Sequence, residues 1–123
     1  MKYLMNLFTA GFLLFSCATA TPVSDKAEIS IKEIVKNPET TLIDVRVPEE
    51  FAEKTADGAV NIPLATIKDN IDFFKEQKNV VVFCNSGKQA AEAMEILRKN
   101  GIHHVYYGKT LKNVQAIQNK NAK

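Results

Sequence analysis

A chain of 123 residues, 46% of them hydrophobic, holds the material for one core and one domain. Its 16 basic and 14 acidic residues leave a net charge of +2, and the lysines are scattered, which excludes the massed basic surface that nucleic acids need. There is no internal repeat and no low-complexity tract, so stacked-repeat architectures are excluded too.

Residues 1–20 differ in kind from the rest. Lys2 precedes an apolar stretch over 4–15 that is short for a bilayer span, and the small residues Ser16, Cys17, Ala18, Thr19 and Ala20 follow. This pattern predicts an export signal and a protein of the periplasm or cell envelope. Cleavage after Ala20 fits a small-x-small site. Leu14-Phe15-Ser16-Cys17 resembles a bacterial lipoprotein box, which would make Cys17 a lipidated N-terminus and that lipid the membrane attachment. Either processing route removes or blocks Cys17 and leaves Cys84 as a free thiol, unusual in an oxidising compartment.

Residues 21–28 read as a linker, with the folded domain over 29–117 and a tail over 118–123. Ile29 suggests a short strand. Ser30 and Glu33 make a capping-box pattern for a helix bearing Ile31, Ile34 and Val35 on one side, stopped at Asn37-Pro38. Residues 41–45 are apolar and β-branched, a central strand ending in the charged pair Asp44 and Arg46. Pro48 starts a short helix through Phe51, Asp57-Gly58 is a turn, and 59–63 is a brief extended segment halted by Pro63. Ile67, Ile71 and Phe74 recur at helical spacing, which predicts a helix over 66–77 capped by Thr66, with Asp69 three residues on.

Val80, Val81, Val82 and Phe83 form a buried strand that ends in Cys84. A polar loop follows, then a helix with Ala90, Ala93, Met94 and Leu97 on its buried side and a stop at Asn100-Gly101. A last strand is predicted over 105–107 and a last helix over 111–117. Strands alternating with helices imply parallel pairing and an α/β sandwich.

The chemistry concentrates at Cys84. A thiol between a strand and a helix meets N–H groups without helical partners and the positive end of the helix dipole, surroundings that suit an anion. A lone cysteine after an apolar strand is commonly a small buried hydrophobe. The loop Asn85, Ser86, Gly87, Lys88, Gln89, Ala90 points the other way, because Gly87 permits positive φ, successive N–H groups then converge, and Lys88 adds a charge. Asp44 and Arg46 end a neighbouring strand, where ligand crevices of parallel sheets lie, and read as a supporting salt bridge that holds the rim. His103 and His104 point to opposite faces of an extended segment and make no metal site, and no C-x-x-C pair supports dithiol redox chemistry. Neither a metal nor a cofactor is expected.

Leu42-Ile43-Asp44-Val45-Arg46, Pro48-Glu49-Glu50-Phe51, Gly58-Ala59-Val60-Asn61-Ile62-Pro63-Leu64 and Val82-Phe83-Cys84-Asn85-Ser86-Gly87 occur in this order. Together they resemble the rhodanese family, and among its members the small single-domain periplasmic proteins of bacteria. The resemblance implies a three-layer sandwich with a five-stranded, mainly parallel sheet and helices on both faces. It also implies thiosulfate sulfurtransferase chemistry through a Cys84 persulfide, with thiosulfate or another sulfane-sulfur donor and with cyanide or a thiol as acceptor. The sequence departs from the family pattern in three respects. Asn85 and Gln89 stand where arginines are common, Thr55 where a histidine is frequent, and Lys109-Thr110 where a glycine pair is common. A cation-poor loop suits a rival role, a slow or non-turnover persulfide carrier. A thiol phosphatase is disfavoured because Ala90 stands where that chemistry requires arginine.

Overall fold

The computed structural model describes residues 29–119. The readings of 1–20 as an export signal, of Cys17 as a lipidation site and of 21–28 as a linker lie outside the described residues, as do residues 120–123 of the expected tail.

The molecule is built around β3 (Asn79–Cys84), whose Val80 to Phe83 side chains have no exposed surface. On one side it pairs with β1 (Thr40–Asp44), which in turn pairs with the two-residue edge strand β2 (Val60–Asn61). On the other side it pairs with β4 (Val105–Thr110). The order β2-β1-β3-β4 is parallel at every pair, so each connection crosses over the sheet and each crossover carries helix.

Alternation along β3 divides the core. Val80, Val82 and Cys84 face α4 (Lys88–Lys99), the 3₁₀ helix Leu64–Asn70 and α3 (Ile71–Glu76), where they meet Ile67, Phe74, Ala93 and Leu97. Val81 and Phe83 face α1 (Ile31–Lys36) and α5 (Leu111–Asn119), against Ile34, Val35, Val114 and Ile117. This is the three-layer α/β sandwich expected from the sequence. Each fully buried Leu, Ile or Phe adds about 1.5–3 kcal/mol relative to an exposed one.

Among the described residues the sheet has four strands, not the five implied by the family likeness. Ile29 forms no strand. It is 51% exposed and runs straight into Ser30, whose side chain already caps α1 by accepting from Lys32 N–H at 3.1 Å. The expected helix over 66–77 is two pieces, because the backbone breaks at Asn70 (φ −119°, ψ 22°), whose side-chain amide donates to the Thr66 carbonyl. Thr66 is no cap, since it lies inside the 3₁₀ turn and its hydroxyl donates to the Pro63 carbonyl. α2 (Pro48–Glu53) begins at the proline as expected.

β4 is longer than the predicted 105–107 because its pairing with β3 continues past a bulge to Thr110. Val82 pairs with Tyr107 and Phe83 with Lys109, so Gly108 is the extra residue. A Cβ on Gly108 would lie 2.7 Å from Val81 Cγ1 and 3.1 Å from the Val82 carbonyl oxygen, which is why glycine stands there. Lys109 then takes φ +66°, the one positive φ at a non-glycine among the described residues. Among these residues, no helix is long and apolar enough to cross a membrane.

Candidate active site

Period-two alternation delivers Cys84 to the α4 side of the sheet at the last position of β3. The chain must then reverse into α4 within three residues, and it does so through Gly87 at φ +94° and ψ −17°. This turn carries backbone N–H groups back over the sulfur. Gly87 N–H donates to Cys84 Sγ at 3.0 Å and Ala90 N–H donates to it at 3.3 Å. Both strengthen when the sulfur carries negative charge, because hydrogen bonds to ionised acceptors are the stronger ones. On the far side the Lys109 carbonyl oxygen lies 3.9 Å from Sγ, placed there by the bulge in β4. Cys84 is 1% exposed.

The other loop residues predicted to line the site do different work. Asn85, Ser86, Lys88 and Gln89 are exposed. The Ser86 hydroxyl accepts from Lys88 N–H, so that amide points away from the sulfur. Lys88 sits at the first position of α4, where its charge borders the positive end of the helix. The Asn85 side chain turns outward, accepting from Arg46 Nη1 at 3.1 Å and donating to Glu50 Oε2.

Asp44 and Arg46 form a buried fork, with Nε to Oδ1 at 2.9 Å and Nη2 to Oδ2 at 2.7 Å. Asp44 also accepts from the Thr55 hydroxyl at 2.8 Å and from the Arg46 backbone N–H at 3.0 Å. Arg46 Nη2 donates further to the Lys54 carbonyl, and Asn61 Nδ2 bridges the carbonyls of Asp44 and Arg46. The hydrogen bond to Asp44 raises the Arg46 pKa above its ordinary value against the opposing effect of burial, with the Asp44, Glu50 and Cys84 charges adding to the rise. Arg46 is thereby tied to the rim and reaches the cysteine loop through Asn85.

Tyr107 and Glu50 join this assembly without having been singled out in the sequence. The Tyr107 hydroxyl donates to the Gly87 carbonyl at 3.0 Å. Nothing local marks Tyr107, because the contact depends on β4 lying beside β3. Of the two histidines, His104 places Nε2 2.8 Å from the Phe74 carbonyl oxygen, a structural contact between α3 and the start of β4.

A family model described as a rhodanese-like domain matches residues 29–109. The thiosulfate sulfurtransferase PspE of Escherichia coli (strain K12) is 43% identical over 74 residues, covering 58% of this chain and 71% of its own length. A solved structure of a rhodanese with anions from E. coli superposes with a TM-score of 0.55 at 42% identity, covering 60% of this chain and 89% of that one. A rhodanese-like domain from Anabaena superposes with a TM-score of 0.58 at 26% identity, covering 63% and 92%.

Proposed function

Since the chain belongs to the rhodanese family, we propose that it is a thiosulfate sulfurtransferase that works through a persulfide on Cys84. The Cys84 thiolate attacks the outer sulfur of thiosulfate. A new sulfur–sulfur bond forms, the old one breaks, and sulfite leaves with its electron pair. The persulfide then passes its outer sulfur to cyanide, giving thiocyanate, or to a thiol, and the thiolate returns.

The observation that carries this reading is the convergence of the Gly87 and Ala90 N–H groups on Cys84 Sγ. Fixed donors of this kind hold charge on sulfur without reorganising as the reaction proceeds. Lys88 and the start of α4 supply the positive potential for an incoming dianion, with Asn85, Ser86 and Gln89 as the polar lip. Asp44 and Arg46 support the loop from the rim through Asn85. In the cell we place the protein beyond the cytoplasmic membrane, exported by residues 1–20, with Cys17 as the attachment point if the lipoprotein route is taken.

The test is sulfite release from thiosulfate in the presence of cyanide. Turnover is expected from the parent protein and none from Cys84→Ser; turnover that survives the substitution would remove Cys84 from the reaction. The cation-poor loop, with Lys88 as the one basic residue over 84–90, favours a second reading, a carrier that holds persulfide for a partner. Stoichiometric sulfur loading of Cys84 by mass spectrometry without turnover would select it.

A further inference from the structure

Gly87 is the pivot of the cysteine loop, and glycine is the residue least able to hold its own conformation. Its peptide groups therefore stay in place through their partners. The N–H side is fixed on Cys84 Sγ at 3.0 Å. The carbonyl accepts from Ala91 N–H at 3.0 Å, within the first turn of α4, and from the Tyr107 hydroxyl at 3.0 Å. Tyr107 also occupies the space that a side chain at position 87 would need, with its Oη 2.6 Å from an ideal Cβ and its Cζ at 3.7 Å.

Tyr107 is 36% exposed, and among the described residues its hydroxyl makes one hydrogen bond, to the Gly87 carbonyl. We propose that Tyr107 is a positioning residue for sulfur transfer. Its hydroxyl holds the Gly87 carbonyl, and through that one residue keeps the Gly87 N–H aimed at the sulfur while Cys84 alternates between thiolate and persulfide. The inference rests on the sulfurtransferase reading and adds to it a group outside the loop, from the neighbouring strand, that acts through Gly87 and does not touch the reacting atoms.

The experiment is Tyr107→Phe in the full chain, with Tyr106→Phe as the control from the opposite face of β4. Loss of one neutral hydrogen bond predicts a fall in kcat of about fivefold. KM for thiosulfate stays at the parent value and the melting temperature falls by no more than about 8 °C, so the protein is folded at the assay temperature and the loss is in kcat alone, a split that a purely structural role would not give. A double-mutant cycle with Gly87→Ala, which is strained in either background by φ +94°, checks the contact between the two side-chain positions and not the hydrogen bond. The atom that blocks a methyl group at position 87 is the Tyr107 oxygen, so Gly87→Ala is less harmful in the Tyr107→Phe background than in the parent. Unchanged kcat in Tyr107→Phe overturns the proposal. The rate of Cys84 alkylation by iodoacetamide, expected to fall by a similar factor, reads the same positioning without turnover. A parent protein that turns over no thiosulfate therefore defeats the sulfurtransferase reading, while the alkylation rates still decide the role of Tyr107.

Discussion

Replacing Arg46 with methionine keeps much of the buried stem and deletes the charged head, which isolates what the fork with Asp44 contributes. Asp44 has no exposed surface and Arg46 is 5% exposed, so solvent does little to screen the pair. Breaking one side of such a pair costs about 3–5 kcal/mol, because the surviving charge stays buried without its counterion. Asp44 retains two donors after the change, the Thr55 hydroxyl and the backbone N–H of residue 46, which places the expected loss at the lower end, about 3 kcal/mol. For a domain of this size that corresponds to a fall in melting temperature of at least about 12 °C. The assay is urea unfolding with linear extrapolation, in which the midpoint should fall with the slope unchanged. Combining Arg46→Met with Asp44→Asn should cost less than the sum of the single changes, by about 1.5–3 kcal/mol. A loss below about 1 kcal/mol for Arg46→Met would falsify the reasoning, since the fork would then be worth no more than a surface ion pair.

Gly108→Ala should destabilise by about 1–3 kcal/mol in the same assay, because the new methyl group meets Val81 and the Val82 carbonyl within a packed layer. Lys109→Gly should stabilise by about 0.5–1 kcal/mol, since relief of the left-handed backbone outweighs the added freedom of the unfolded chain; a loss of stability would show that the lysine is not strained. Lys88→Ala should raise KM for thiosulfate about threefold at low salt, an effect that fades toward 1 M salt, with the melting temperature unchanged. A KM equal to that of the parent at low ionic strength removes Lys88 from donor binding.

What the sequence made legible was local. The β-branched run before Cys84 and the alanine and leucine stripe after it determine one strand and one helix, and Gly87 between them marks the turn that exposes amides to the sulfur. Asp44 and Arg46 were visible as a charged pair at a strand end. What stayed hidden depends on neighbours in space. The direction of the Asn85 side chain follows from where Arg46 and Glu50 lie, and the need for glycine at 108 follows from how closely Val81 and Val114 approach β4. The helix over 66–77 was misread for another reason: apolar spacing of three or four residues suits a 3₁₀ turn as well as an α-helix. The fifth strand came from family likeness alone, and Ile29 by itself offers no ladder partner.

The seating of Cys84 beneath its own loop sets a limit on who can meet it. A disulfide needs its two Cβ atoms about 3.8 Å apart, and at 1% exposure no second chain can bring a cysteine that near while the Gly87 turn stays closed. Two copies of this protein therefore cannot lock together through Cys84 while that turn stays closed. A thiol seated in this way is kept from pairing with a second thiol by its own backbone.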